Sequence, residues 1–158
     1  MEQTIRESVW DYPRPPRVET TDRLVRVEFA DRVIAESSRS LRVLETSHPP
    51  VFYIPRSDFV ASFIRPSTQT SFCEFKGEAS YLDVVVEDRV APDAGWEYPD
   101  PSRGYEALQD HVAFYPGRVG ACFVDGERVK SQDGGFYGGW VTAEIVGPFK
   151  DAAGTRGW

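Results

Sequence analysis

Apolar and polar positions alternate in short runs along most of the chain, and turn residues separate the runs. That pattern predicts strands rather than helices. In LVRVEFADRVIAES (24–37), Leu24, Val25, Val27 and Phe29 precede Ala30-Asp31, and Val33 and Ile34 follow, which predicts a β-hairpin. LRVLE (41–45) and VFYI (51–54) predict two more strands around TSHPP, where Pro49 and Pro50 cannot donate to a ladder. TSFCEF and ASYLDVVV predict strands on either side of Lys76-Gly77, and RVA (89–91) follows a turn at Glu87-Asp88. VAFYP and ACFVDGERVK return to strand character, the second with Asp125-Gly126 as a two-residue hairpin turn.

Two stretches change period. In SDFVASFIRP (57–66), Phe59, Val60, Phe63 and Ile64 repeat at helical spacing, Ser57 can cap, and Pro66 disfavours helix at Arg65. This predicts one short helix. YEALQDHV predicts two further helical turns with Tyr105, Leu108 and Val112 on one face. Residues 1–22 are polar and proline-rich and predict an extended arm anchored by Trp10 and Tyr12. Residues 23–133 form the β domain. Residues 134–158 form a Gly- and aromatic-rich extension expected to pack on it through Trp140, Ile145, Phe149 and Trp158. The fold class is all-β: small antiparallel sheets in a partly closed barrel, since closure removes exposed edges.

Composition sharpens this. The 10 Phe, 7 Tyr and 4 Trp suit pleated, half-buried surfaces. The net charge of −7 opposes binding to nucleic acid, which needs a basic face. No apolar run is long enough to span a membrane, and MEQTIRESVWDYPRPPR has no apolar core of a secretory signal, so a cytoplasmic location is expected. Cys73 and Cys122 are expected to be reduced and buried. Lone cysteines, with His48 and His111, do not make a local zinc motif, so no metal and no cofactor are expected. GGFYGG lacks the Lys-Ser/Thr of a phosphate loop, and no G-x-S-x-G elbow is present.

The candidate ligand-binding residues are polar or aromatic side chains at strand ends and turns: Glu45, His48, Tyr53, Cys73, Lys76, Trp96, Tyr98 and Tyr115. A lysine between Phe75 and Gly77 can bury its stem and offer a cation inside a pocket, and Gly77 permits a bulge that re-aims it. Cys73 stands three residues before Lys76, so in an undisturbed strand the two face opposite sides.

ETSHPPVFYIP, FCEFKGEASY, WEYPDP and AFYPGRV resemble the signature segments of the bacterial and fungal family numbered 427 among domains of unknown function. The ending GGFYGGWVTAEIVGPFK resembles the C-terminal extension of one bacterial branch. The resemblance implies a β-tent-like fold, two small antiparallel sheets meeting at an angle. It does not carry over zinc, because the two cysteine pairs of zinc-bearing relatives are missing. The family is sometimes labelled nucleotidyltransferase, yet Gly-Ser followed by paired aspartates is absent.

The expected function is a small-molecule-binding module whose aromatic pocket carries a lysine. The alternative is an enzyme of unknown reaction at the same pocket, with Lys76, Cys73 or His48 as acid, base or nucleophile.

Overall fold

The computed structural model describes residues 6–73, 75–131 and 138–147. The strands are β1 (Glu7–Ser8), β2 (Arg17–Thr20), β3 (Val25–Phe29), β4 (Arg32–Ser37), β5 (Leu41–Leu44), β6 (Val51–Pro55), β7 (Ile64–Cys73) and β8 (Gly77–Val86). They continue with β9 (Arg89–Glu97), β10 (His111–Phe114), β11 (Ala121–Val124), β12 (Glu127–Arg128), β13 (Lys130–Ser131), β14 (Trp140–Val141) and β15 (Ile145–Val146). One short α-helix, α1 (Pro116–Val119), and isolated 3-10 turns complete the described residues.

The protein is all-β. A seven-stranded antiparallel sheet has the order β2-β5-β6-β10-β9-β8-β7, and a four-stranded one has the order β12-β11-β3-β4. The β3–β4 hairpin turns at Ala30 and Asp31, with φ of 51° and 63°, and β11–β12 turns at Asp125 and Gly126, with φ of 49° and 85°. Successive positive values suit the two-residue turn whose twist matches its strands.

Strand parity divides the seven-stranded sheet. Phe52 and Ile54 of β6, Leu82, Val84 and Val86 of β8, and Val112 and Phe114 of β10 face one way. There they meet Val25, Val27, Ile34, Cys122 and Val124 of the smaller sheet in the main core. The odd-numbered neighbours, Tyr53, Ala79, Tyr81 and Ala113, belong to a second, aromatic cluster on the opposite face. Successive side chains of a strand point to opposite faces, so one sheet serves both clusters.

The C-terminal segment joins the main core. Trp140 is fully buried, its ring centroid is 5.0 Å from that of Phe52, and its Nε1 donates to the Phe114 carbonyl at 3.0 Å. β15 pairs in parallel with β1, which ties this segment to the N-terminal one. Tyr12 is buried, whereas Trp10 is 43% exposed. Phe149, Trp158 and residues 134–137 of the glycine-rich loop lie outside the described residues.

Three expectations are corrected. No sheet among the described residues closes into a barrel; β7 remains an edge, where Pro66 and a register shift between Pro66 and Thr70 interrupt its ladder. The helix expected over 57–66 is two 3-10 turns, Arg56–Asp58 and Ala61–Phe63, leading into β7 at Ile64. The helix expected over 105–112 is one 3-10 turn, Glu106–Leu108, because His111 and Val112 pair with Pro55 and Ile54 of β6.

Candidate functional site

The second cluster is built on a row of side chains running across the sheet. Leu41 lies opposite Tyr53, Tyr53 opposite Ala113, Ala113 opposite Trp96, and Trp96 opposite Tyr81. Cross-strand neighbours of this kind are close enough to pack. Trp96 and Tyr115 rings are 4.5 Å apart, Tyr53 meets Trp96 edge-on at 6.1 Å, and Tyr81 stacks parallel to Tyr115 at 6.4 Å. The small Ala113 leaves space between Tyr53 and Trp96, and the Trp96 Nε1 donates to the Tyr53 hydroxyl across it at 3.3 Å.

The β7–β8 hairpin brings a cation to this face. Cys73 pairs with Gly77, so the chain reverses between them, with Phe75 and Lys76 in the turn. Gly77 has φ of +108°, where a side chain is strained, and a Cβ there would lie 3.1 Å from the Ser102 hydroxyl, which would have to shift to admit it. The Ser102 N–H donates to the Lys76 carbonyl at 2.8 Å, which docks the hairpin tip on the loop after β9. Lys76 is half-buried, and its Nζ lies 6.0 Å from the centroid of the Tyr98 ring. That distance is at the outer limit of a cation–π contact. The Cys73 thiol lies within interaction distance of the ammonium, so the opposite-face expectation is corrected: the chain reverses between the two residues.

Electrostatics keep the ammonium charged. Burial pulls the Lys76 pKa down, but Tyr98, Cys73 and Glu45 together outweigh it and the net direction is up. Burial drives the phenols of Tyr53, Tyr98 and Tyr115 above their ordinary value, so they stay neutral at physiological pH. The site therefore sets the Lys76 ammonium beside Tyr98, and the Arg118 guanidinium beside Tyr115, among neutral hydroxyls and rings. Glu45 follows β5 and acts on Lys76 from a distance; its nearest cation is Arg14, at 3.5 Å.

The fold brings six of the eight candidate residues into this cluster: Tyr53, Cys73, Lys76, Trp96, Tyr98 and Tyr115. Glu45 stands outside it, within electrostatic range. The His48 Nδ1 lies 2.9 Å from the Thr46 carbonyl within its own turn. Sequence reasoning missed Tyr105, buried with its hydroxyl donating to the Pro16 carbonyl at 2.7 Å, and Tyr81, whose hydroxyl donates to Ser71 at 3.0 Å. It also missed Arg118, whose guanidinium sits 4.0 Å from the Tyr115 ring centroid. The odd-numbered parity of Tyr53 and Tyr81, opposite to the plainly apolar even positions, was the available signal for Tyr81.

The fold and site define an all-β domain with an aromatic face and a lysine at its rim. Residues 17–125 match the model of the family described as Domain of unknown function (DUF427), labelled NTP_transf_9, and the chain belongs to that family. No curated protein matches the chain.

Proposed function

We propose that this protein is a small-molecule-binding module whose ligand lies against the Tyr53–Trp96–Tyr98–Tyr115 cluster and meets Lys76. The observation that carries this reading is the half-buried ammonium, 6.0 Å from the Tyr98 ring centroid, with no carboxylate within salt-bridge distance among the described residues. Partly burying a cation is unfavourable unless something pairs with it, and a ligand supplies what the protein does not. Aromatic walls with few polar groups are the usual lining of small-molecule sites.

Binding is favoured over an enzyme at the same place. A lysine whose pKa is raised stays protonated and serves as a hydrogen-bond donor, not as a base or nucleophile. A catalytic Cys73 would need an adjacent base, and the ammonium it interacts with is a donor only.

The test is a screen of metabolite mixtures by two-dimensional NMR, following the indole N–H signals of the 4 tryptophans. Binders are expected to move the Trp96 signal and leave that of Trp140, buried in the other cluster, in place. A comprehensive metabolite screen in which no compound moves the Trp96 signal would overturn the reading.

A further inference from the structure

The two larger sheets have four free edges among the described residues, and the edges are not alike. β2 ends the larger sheet with Arg17 and Glu19 among its four residues, and β12 ends the smaller one as two charged residues, Glu127 and Arg128. β4 carries Arg32 and Glu36, and Phe59 bridges to it at Ala35. Charge, shortness and cover are the usual protection of an edge against pairing with another chain. β7, the remaining edge, has such protection over its first part only, where Pro66 and the register shift between Pro66 and Thr70 break the ladder. From Thr70 to Cys73 it pairs with Ser80 to Gly77 on one side, and no described strand pairs with it on the other. This stretch carries no charged residue. It does carry Phe72, which at 77% is the most exposed of the large apolar side chains described.

We infer that the Thr70–Cys73 stretch of β7 is a self-association surface, and that its occupant is the same stretch of a second copy of this chain, added antiparallel about a two-fold axis. Identical strands paired in this sense exchange the same N–H and C=O groups, so the contact is self-complementary and closes at two copies. Charge selects the same place. Two copies of net charge −7 repel, and on this edge alone of the four no like charges are brought face to face. Phe72 then packs against the added strand and loses exposed apolar surface. The axis stands perpendicular to the sheet, so the aromatic faces of the two copies lie on the same side of one continuous sheet. Four paired residues on each side make a small interface, so the dimer is weak and assembles at micromolar concentrations or above.

Sedimentation equilibrium of the full chain, from micromolar to near-millimolar protein, tests this. A reducing buffer removes any dimer linked through Cys73. The wild-type mass is expected to rise with concentration from 17.8 kDa towards twice that value. Phe72→Lys and Thr70→Lys each set like charges near one another across the axis, and each is expected to weaken association at least about tenfold. Both side chains are exposed, so the thermal unfolding of dilute variant is expected to match that of dilute wild type. A wild-type mass that stays at one copy over the whole range would overturn the inference, whether the edge is then bare or covered by another part of the chain. A dimer that both lysine variants leave unchanged would overturn it as well, because the contact would lie on another surface. The wild-type measurement does not depend on either variant folding.

Discussion

Gly138 lies against the indole of Trp96 so closely that a methyl group built on it would sit 2.1 Å from Cη2 and 2.7 Å from Cζ3. No side chain fits there unless the indole moves. The glycine thus lets the backbone of the C-terminal segment cover one edge of the aromatic cluster, and it couples that segment to the residue whose N–H reaches Tyr53. Gly138→Ala is expected to displace Trp96 and cost about 1–3 kcal/mol, the usual range for overpacking. Urea unfolding measures the loss, and near-ultraviolet circular dichroism reads the displaced indole. Unchanged stability and spectrum would show that Gly138 does not constrain Trp96.

Trp140 does different work, filling the main core beside Phe52. Trp140→Ala removes that packing and orphans the Phe114 carbonyl, for an expected loss of about 3–5 kcal/mol in urea unfolding. A loss below about 1 kcal/mol would mean that this segment contributes little to the fold.

Arg42 is 3% exposed and holds two carboxylates, donating to Glu7 at 3.0 Å and to Glu19 at 2.9 Å. Burial raises the Glu7 pKa, but hydrogen bonds from Arg42 and Tyr12 outweigh it, and the carboxyl lies below its ordinary 4.5. A depressed folded value contributes stability above the unfolded pKa that is lost as pH falls through the folded one. Glu7→Gln is therefore expected to be less stable than wild type near neutral pH and to lose less on acidification from about pH 5 to pH 3. Parallel pH profiles for the two proteins would contradict this.

The two cysteines differ in access. Cys73 is half-buried at the hairpin end, while Cys122 is fully enclosed in the main core and its thiol pKa is pushed up by burial. Iodoacetamide is expected to label Cys73 in the native protein and Cys122 only after unfolding. Mass spectrometry of peptides from each state reads the outcome. Equal native labelling at both sites would contradict the burial of Cys122.

Most strands were legible because half-buried strands alternate, and the Asp125-Gly126 and Ala30-Asp31 turns follow from local chemistry. The helix predicted over 57–66 was not, because Phe59, Val60, Phe63 and Ile64 take helical spacing from two tight turns that feed a strand. Pro66 marked an edge strand, not a helix end. The aromatic residues could be picked out singly. Their convergence depends on the register Leu41–Tyr53–Ala113–Trp96–Tyr81, which strand pairing sets and no single stretch encodes. Cys73 and Lys76 were placed on opposite faces because a continuous strand was assumed where the chain reverses.

The role of Lys76 is tested most directly by titrating the strongest binder from the metabolite screen into wild type and Lys76→Met side by side. Methionine keeps most of the stem volume and removes the charge. The expected result is near-unchanged thermal unfolding with affinity lowered about 10- to 150-fold, the equivalent of roughly 1.5–3 kcal/mol for a hydrogen bond to a charged group. Equal affinity in the two proteins would return Lys76 to the status of a solvated turn residue and remove the ammonium from the site.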